Sequence, residues 1–191
     1  MAEKKVKVAT LGSGKGQPGD QMYDKMVEVG RLLAEKGCTV INGGFGGTGM
    51  EAPSKGAKEA GGEVIGYTLA GKPGNQFLTH QIDCSQWDKE INLGFSGYGI
   101  RLCALLDADA FIIAAGGGIG TLTELMAIVL FQQKIWKKKK KVVILYGSAN
   151  EKSTEEKLII LLKEQNLFPD IELLVESDPV NAVDWLLSEM V

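Results

Sequence analysis

The chain has 191 residues, 45% of them hydrophobic and 24% charged, with 25 glycines and a net charge of −3. This composition fits one globular domain with its own core, excludes a disordered chain, and argues against a general nucleic-acid binder, which carries a basic balance. Three cysteines (Cys38, Cys84, Cys103) without metal-ligand spacing and a single histidine, His80, argue against a disulfide framework or a zinc site.

Residues 5–11 are a short Val/Ala/Thr/Leu run, read as a first strand. With no apolar leader ahead of it and no run long enough to span a bilayer, the expectation is a cytoplasmic protein without a membrane partner. The strand ends in a first glycine cluster, Gly12-Ser13-Gly14-Lys15-Gly16. This is not a P-loop, which needs Ser or Thr after the lysine. A nucleotide contact at Gly12 and Ser13 and a plain tight turn are both open readings.

Residues 20–36 carry apolar side chains at Met22, Met26, Val29, Leu32 and Leu33, the spacing of a helix, with Gly37 as its C-cap. Residues 39–42 read as a second strand and 51–60 as a small-residue helix stopped by Gly61-Gly62. Between them lies a second cluster, Gly43-Gly44-Phe45-Gly46-Gly47-Thr48-Gly49, followed by Met50. It satisfies GxGxxG, but the next strand, 63–68, ends without the carboxylate that holds a dinucleotide ribose. What remains is a loop of N–H groups at a helix start, which suits an anion.

Residues 69–89 read as an irregular functional loop and 91–106 as helical in its second half. Residues 108–114 are a continuous apolar run, typical of a central parallel strand. A third cluster follows: Gly116-Gly117-Gly118-Ile119-Gly120-Thr121, with Glu124 one helical turn further on. Its N–H groups and the Thr121 hydroxyl suit a phosphate. Glu124 reads equally as a ligand-facing carboxylate or as an acidic residue favoured by the helix's positive end.

Residues 121–133 form a helix apolar around its circumference at Met126, Ile128, Val129 and Leu130, as expected where a second subunit helps to bury it. Five lysines at 137–141 read as a solvated connection that complements the preceding helix's dipole, ahead of a polyanion patch. A strand at 141–146, an amphipathic helix at 154–164, a shorter strand at 171–175 and a helix at 180–190 complete the chain. Strands alternating with helices predict a Rossmann-like, doubly wound parallel sheet in three α/β/α layers, one domain over residues 1–191. In such a sheet ligands bind beyond the carboxyl ends of the strands, where the glycine clusters lie.

At these residues the sequence resembles the Lonely Guy (LOG) family, often labelled "possible lysine decarboxylase". The family signature PGGxGTxxE is matched by Gly116-Gly117-Gly118-Ile119-Gly120-Thr121-Leu122-Thr123-Glu124. A second family element, GGxxGxM followed by KGAxxAGG, is similar to residues 43–50, where Met50 stands one position later than in the pattern, and is matched by residues 55–62. Arg101 stands at the family's arginine position, fifteen residues ahead of Gly116. The resemblance spans roughly residues 6–146. Gly116 replaces the signature proline, Leu102 replaces the lysine of an Arg-Lys pair, and Met50-Glu51-Ala52 looks more like the branch of molybdenum-cofactor carrier proteins.

The resemblance implies a Rossmann-like fold, a homodimer, and hydrolysis of the N-glycosidic bond of nucleoside 5′-monophosphates. The carrier branch implies binding of a phosphorylated pterin without catalysis. In the hydrolase reading Glu124 and Arg101 are the catalytic pair. Gly43, Gly44, Gly46, Gly47, Gly49 and Met50 line one wall. Gly116, Gly117, Gly118, Gly120 and Thr121 hold the phosphate, and no metal or organic cofactor is required. No residue set points to a pyridoxal site. Trp87, Phe95 and Tyr98 are candidates to stack on a base, or to pack in a core or interface.

Overall fold

A computed structural model describes residues 5–69, 71–86, 97–147, 153–188 and 190. The strands are β1 (Lys7–Leu11), β2 (Thr39–Asn42), β3 (Glu63–Thr68), β4 (His80–Asp83), β5 (Ala110–Ala114), β6 (Lys141–Leu145) and β7 (Glu172–Glu176). The helices are α1 (Gln21–Glu35), α2 (Glu51–Glu59), α3 (Tyr98–Leu106), α4 (Ile119–Lys134), α5 (Thr154–Glu164) and α6 (Pro179–Leu187). All seven strands pair in parallel in the order β4-β3-β2-β1-β5-β6-β7. The chain winds outward from β1 to β4, then returns to the other side of β1 as β5. That reversal between β1 and β5 is the switch point where a parallel sheet opens a crevice.

The central strands are buried on both faces, and side-chain alternation sorts them into two cores. Val8, Ala110, Ile112, Val143 and Leu145 face α1, α2 and α6. Ala9, Phe111, Ile113, Val142 and Ile144 face α3, α4 and α5. The result is the expected doubly wound α/β/α arrangement.

Small residues set the approach of α1 to α2. A Cβ added at Gly56 would lie 1.8 Å from the Val27 carbonyl oxygen, and one at Gly30 would lie 2.0 Å from that of Pro53. The small-residue character of α2 is therefore a packing requirement. Ser153 opens α5 with a capping box to Glu156, and Asp178 caps α6 ahead of Pro179.

Two sequence expectations change. The segment 69–89 is not wholly irregular, because it contains β4. Among the described residues this edge strand pairs only with β3, and His80 and Gln81 are exposed while Ile82 and Asp83 are half-buried, so neither alternation nor an apolar run marks it. His80 lies on it, 3.5 Å from Glu63 and exposed. In the lysine run, Lys137, Lys138 and Lys139 are exposed, as a solvated connection requires, but the last two lysines do not serve the preceding helix. Lys140 Nζ donates to the carbonyls of Leu106 and Ala108 at the end of α3 and lies 4.1 Å from the Trp136 ring centroid. Lys141 Nζ, buried, donates to the carbonyls of Trp185 and Ser188 at the end of α6. Both lysines meet helix C-termini that only the tertiary structure brings near.

Candidate functional site

The three glycine clusters follow β2, β1 and β5, which are neighbours in the sheet, so they meet at its carboxyl edge. The first two are fastened together: Thr48 N–H donates to the Lys15 carbonyl at 2.9 Å and Gly49 N–H to that of Ser13 at 3.1 Å. A Cβ at Gly49 would lie 2.3 Å from Gly12 N, and one at Gly47 would lie 2.3 Å from Gly14 C. Gly44, at φ +75°, turns the chain, and its N–H donates to the buried Asn42 side chain at 2.8 Å. Asn42 in turn donates to the Met50 carbonyl and Ser54 Oγ, tying loop to helix. Gly44, Gly46, Gly47 and Gly49 thus build the wall without lining the opening.

The opening is a cleft of about 490 Å³. Of the residues expected at the site, Gly12, Ser13, Gly43, Met50 and Arg101 line one side. Gly118, Gly120, Thr121 and Glu124 line the other. The cleft also takes in Thr10, Leu11, Gly14 and Lys15 from β1 and its loop, and Tyr98 and Ile119 from the helix starts. Lys15 could have been found: it sits inside a glycine cluster, but is obscured by the lack of a following Ser or Thr. Ile119 carries no local signal. Trp87 and Phe95 lie outside the described residues.

Gly116 and Gly117 are not in the cleft, and the Gly117 amide is not turned toward a phosphate. Gly116, at φ +84°, turns the chain so that its N–H donates to Glu155 Oε2 at 3.2 Å, while Gly117 N–H donates to Oε1 at 3.0 Å. Glu155, in the first turn of α5, is fully buried. The protein's own carboxylate therefore fills these two amides. Glycine at position 116 supplies an N–H that the proline of the LOG signature lacks. The donors left for a ligand are the first-turn amides of α4, which begins at Gly118 without a side-chain cap.

Two polar side chains at this helix start have no partner among the described residues. The Thr121 hydroxyl is only 4% exposed and makes no hydrogen bond there. Glu124, partly buried, makes neither a hydrogen bond nor an ion pair. Removal from water pushes the Glu124 carboxyl up from 4.5 to about 7, against the pull of the Arg101 guanidinium. Arg101 is held in place: its Nε donates to the Tyr67 carbonyl at 2.9 Å, and Nη2 lies 3.8 Å from Met50 Sδ. Its guanidinium lies over Gly43, where a Cβ would fall 1.7 Å from Nη2. Arg101 has no ion pair with a carboxylate among the described residues, so a purely structural helix pair does not account for it. The cleft thus offers uncapped amides, a buried hydroxyl, an anchored cation and a carboxyl that titrates near neutrality.

No helix among the described residues is long and apolar enough to cross a membrane. A protein of Archaeoglobus fulgidus, described only as uncharacterized, is 34% identical over 121 residues, which are 63% of this chain and 72% of that one. The crystal structure of the protein called TM1055 superposes with a TM-score of 0.72 at 26% identity, covering 98% of this chain and all of that one. A Moco carrier protein of Chlamydomonas reinhardtii shares the fold, with a TM-score of 0.69 at 23% identity over 97% of this chain and 99% of that one. The sequence profile of the SLOG cluster4 family matches residues 5–168, so the chain belongs to this LOG-like family.

Proposed function

We propose that the cleft binds a nucleoside 5′-monophosphate or a related phosphorylated small molecule and hydrolyses its N-glycosidic bond, releasing free base and ribose 5-phosphate. The observation that carries this reading is Glu124. It is a carboxyl with no hydrogen bond or ion pair among the described residues, raised to about 7, one turn inside an uncapped helix N-terminus. A phosphate oxygen accepts from the amides of Ile119, Gly120 and Thr121 and from the Thr121 hydroxyl, where the helix dipole favours negative charge. The ribose then lies between Glu124 and Arg101. Glu124, titrating near working pH, takes a proton from water as its oxygen attacks C1′. The C1′–N bond breaks, its electron pair leaves with the base, and the base takes up a proton from solvent while Glu124 releases to solvent the proton it took from the attacking water. The carboxylate also stabilises positive charge developing on the ribose, and Arg101, permanently charged, stabilises the departing negative charge. Neither step draws on a metal or an organic cofactor.

The test is to incubate purified protein with AMP, N6-substituted forms and other nucleoside 5′-monophosphates, and to follow free base by chromatography. Glu124→Gln and Arg101→Ala are expected to lose turnover by at least about 100-fold. Tight binding without base release would instead support a carrier, in line with the Moco carrier protein that shares the fold.

A homodimer belongs to the same reading. Ile128 and Val129 on α4 are buried, whereas Met126 and Leu130, one turn apart, are 39% and 52% exposed. A second copy of the chain packed on this face would bury them.

A further inference from the structure

Two large apolar side chains stand in water at the cleft mouth: Ile119, 81% exposed, and Tyr98, 45% exposed. Ile119 is the first residue of α4, directly after Gly118. Tyr98 is the first residue of α3, and Gly97, at φ +73°, turns the chain into it. The Tyr98 hydroxyl lies 3.5 Å from where a Gly120 Cβ would be, so the ring reaches the same helix start that carries Ile119. The guanidinium carbon of Arg101, one turn along α3, lies 5.8 Å from the ring centroid. That guanidinium is itself anchored to the Tyr67 carbonyl, so the ring borders a fixed cation.

These two exposed side chains sit together at the mouth of a polar cleft whose Thr121 hydroxyl is buried and makes no hydrogen bond among the described residues. The cleft is therefore amphiphilic: donors for an anion in its wall, hydrocarbon and a π-face at its mouth. We propose that Tyr98 and Ile119 form the subsite for the planar heterocycle of the ligand, the ring stacking on Tyr98 and Ile119 covering it. The inference rests on the phosphorylated-ligand reading and adds the apolar faces of the heterocycle, for which that reading names only the charge of Arg101. Stacking tolerates many rings, because every base has a π-face.

The test compares two ligands by titration calorimetry: ribose 5-phosphate, and the carbocyclic analogue of AMP, whose C–N bond is not glycosidic and is not consumed. In Tyr98→Ala and Ile119→Ser the AMP analogue should bind about 10-fold more weakly, with ribose 5-phosphate changed less than about 2-fold. Tyr98→Phe, which keeps the ring, should bind the analogue like wild type. Equal weakening of both ligands, or none of either, overturns the subsite. Wild-type protein that binds ribose 5-phosphate no less tightly than the analogue removes the subsite and leaves the phosphate reading standing. Binding of neither ligand removes both.

Discussion

Glu124→Gln should stabilise the protein, and by an amount that depends on pH. The Glu124 carboxyl has an ordinary value of 4.5 and is raised to about 7 in the fold. Between these values the folded state holds more protons than the unfolded state, so stability falls as pH rises. The group's penalty is absent below 4.5 and complete above 7. Each pH unit of displacement corresponds to about 1.4 kcal/mol. The full displacement is about 3 kcal/mol, and solvent at the open side of the cleft trims this toward about 2 kcal/mol. Glutamine has the same shape and no charge to desolvate. Urea denaturation of wild type and variant at pH 4.5 and pH 8 measures the effect. The variant's advantage should be about 2–3 kcal/mol larger at pH 8, a difference in midpoint of about 1 M urea. The intrinsic cost of placing an amide at this position is the same at both pH values and cancels. An advantage that does not change with pH would refute the argument, because Glu124 would then be solvated or paired. The same variant should lose base release, placing its stability gain and its activity loss at one atom pair.

Glu155→Ala removes both acceptors of the Gly116 and Gly117 amides and should cost about 3 kcal/mol, since hydrogen bonds to a charged group contribute about 1.5–3 kcal/mol each. For a chain of this size the melting temperature should fall by about 6–12 °C. A loss below about 1 kcal/mol in chemical denaturation would show that these amides do not depend on the carboxylate. Light scattering coupled to gel filtration should give twice the chain mass for wild type and the chain mass for Met126→Glu with Leu130→Glu. A monomeric wild type would defeat the dimer.

The sequence by itself determined the layered parallel fold and the address of the cleft. Short buried runs such as 110–114 alternate with helical periods, which leaves few other arrangements. Glycine runs at strand ends then mark where the cleft opens at the carboxyl edge of the sheet. What lay beyond it is long-range. The edge strand β4 has no pattern of its own, because one partner strand is enough to define it and only Ile82 of its four residues packs against a core. The glycines of the second cluster looked alike in sequence, yet Gly43 makes room for Arg101 while Gly47 and Gly49 make room for the first loop. Glu155 is an ordinary first-turn acid in sequence, and only the fold brings it 39 residues back to the Gly116 amide. Glu124 carries no sequence mark of a raised pKa, since desolvation is a property of everything packed around a group. Local patterns dictate local geometry. Which amide faces a ligand, and which is already filled by the protein's own carboxylate, is decided by contacts between segments far apart in the chain.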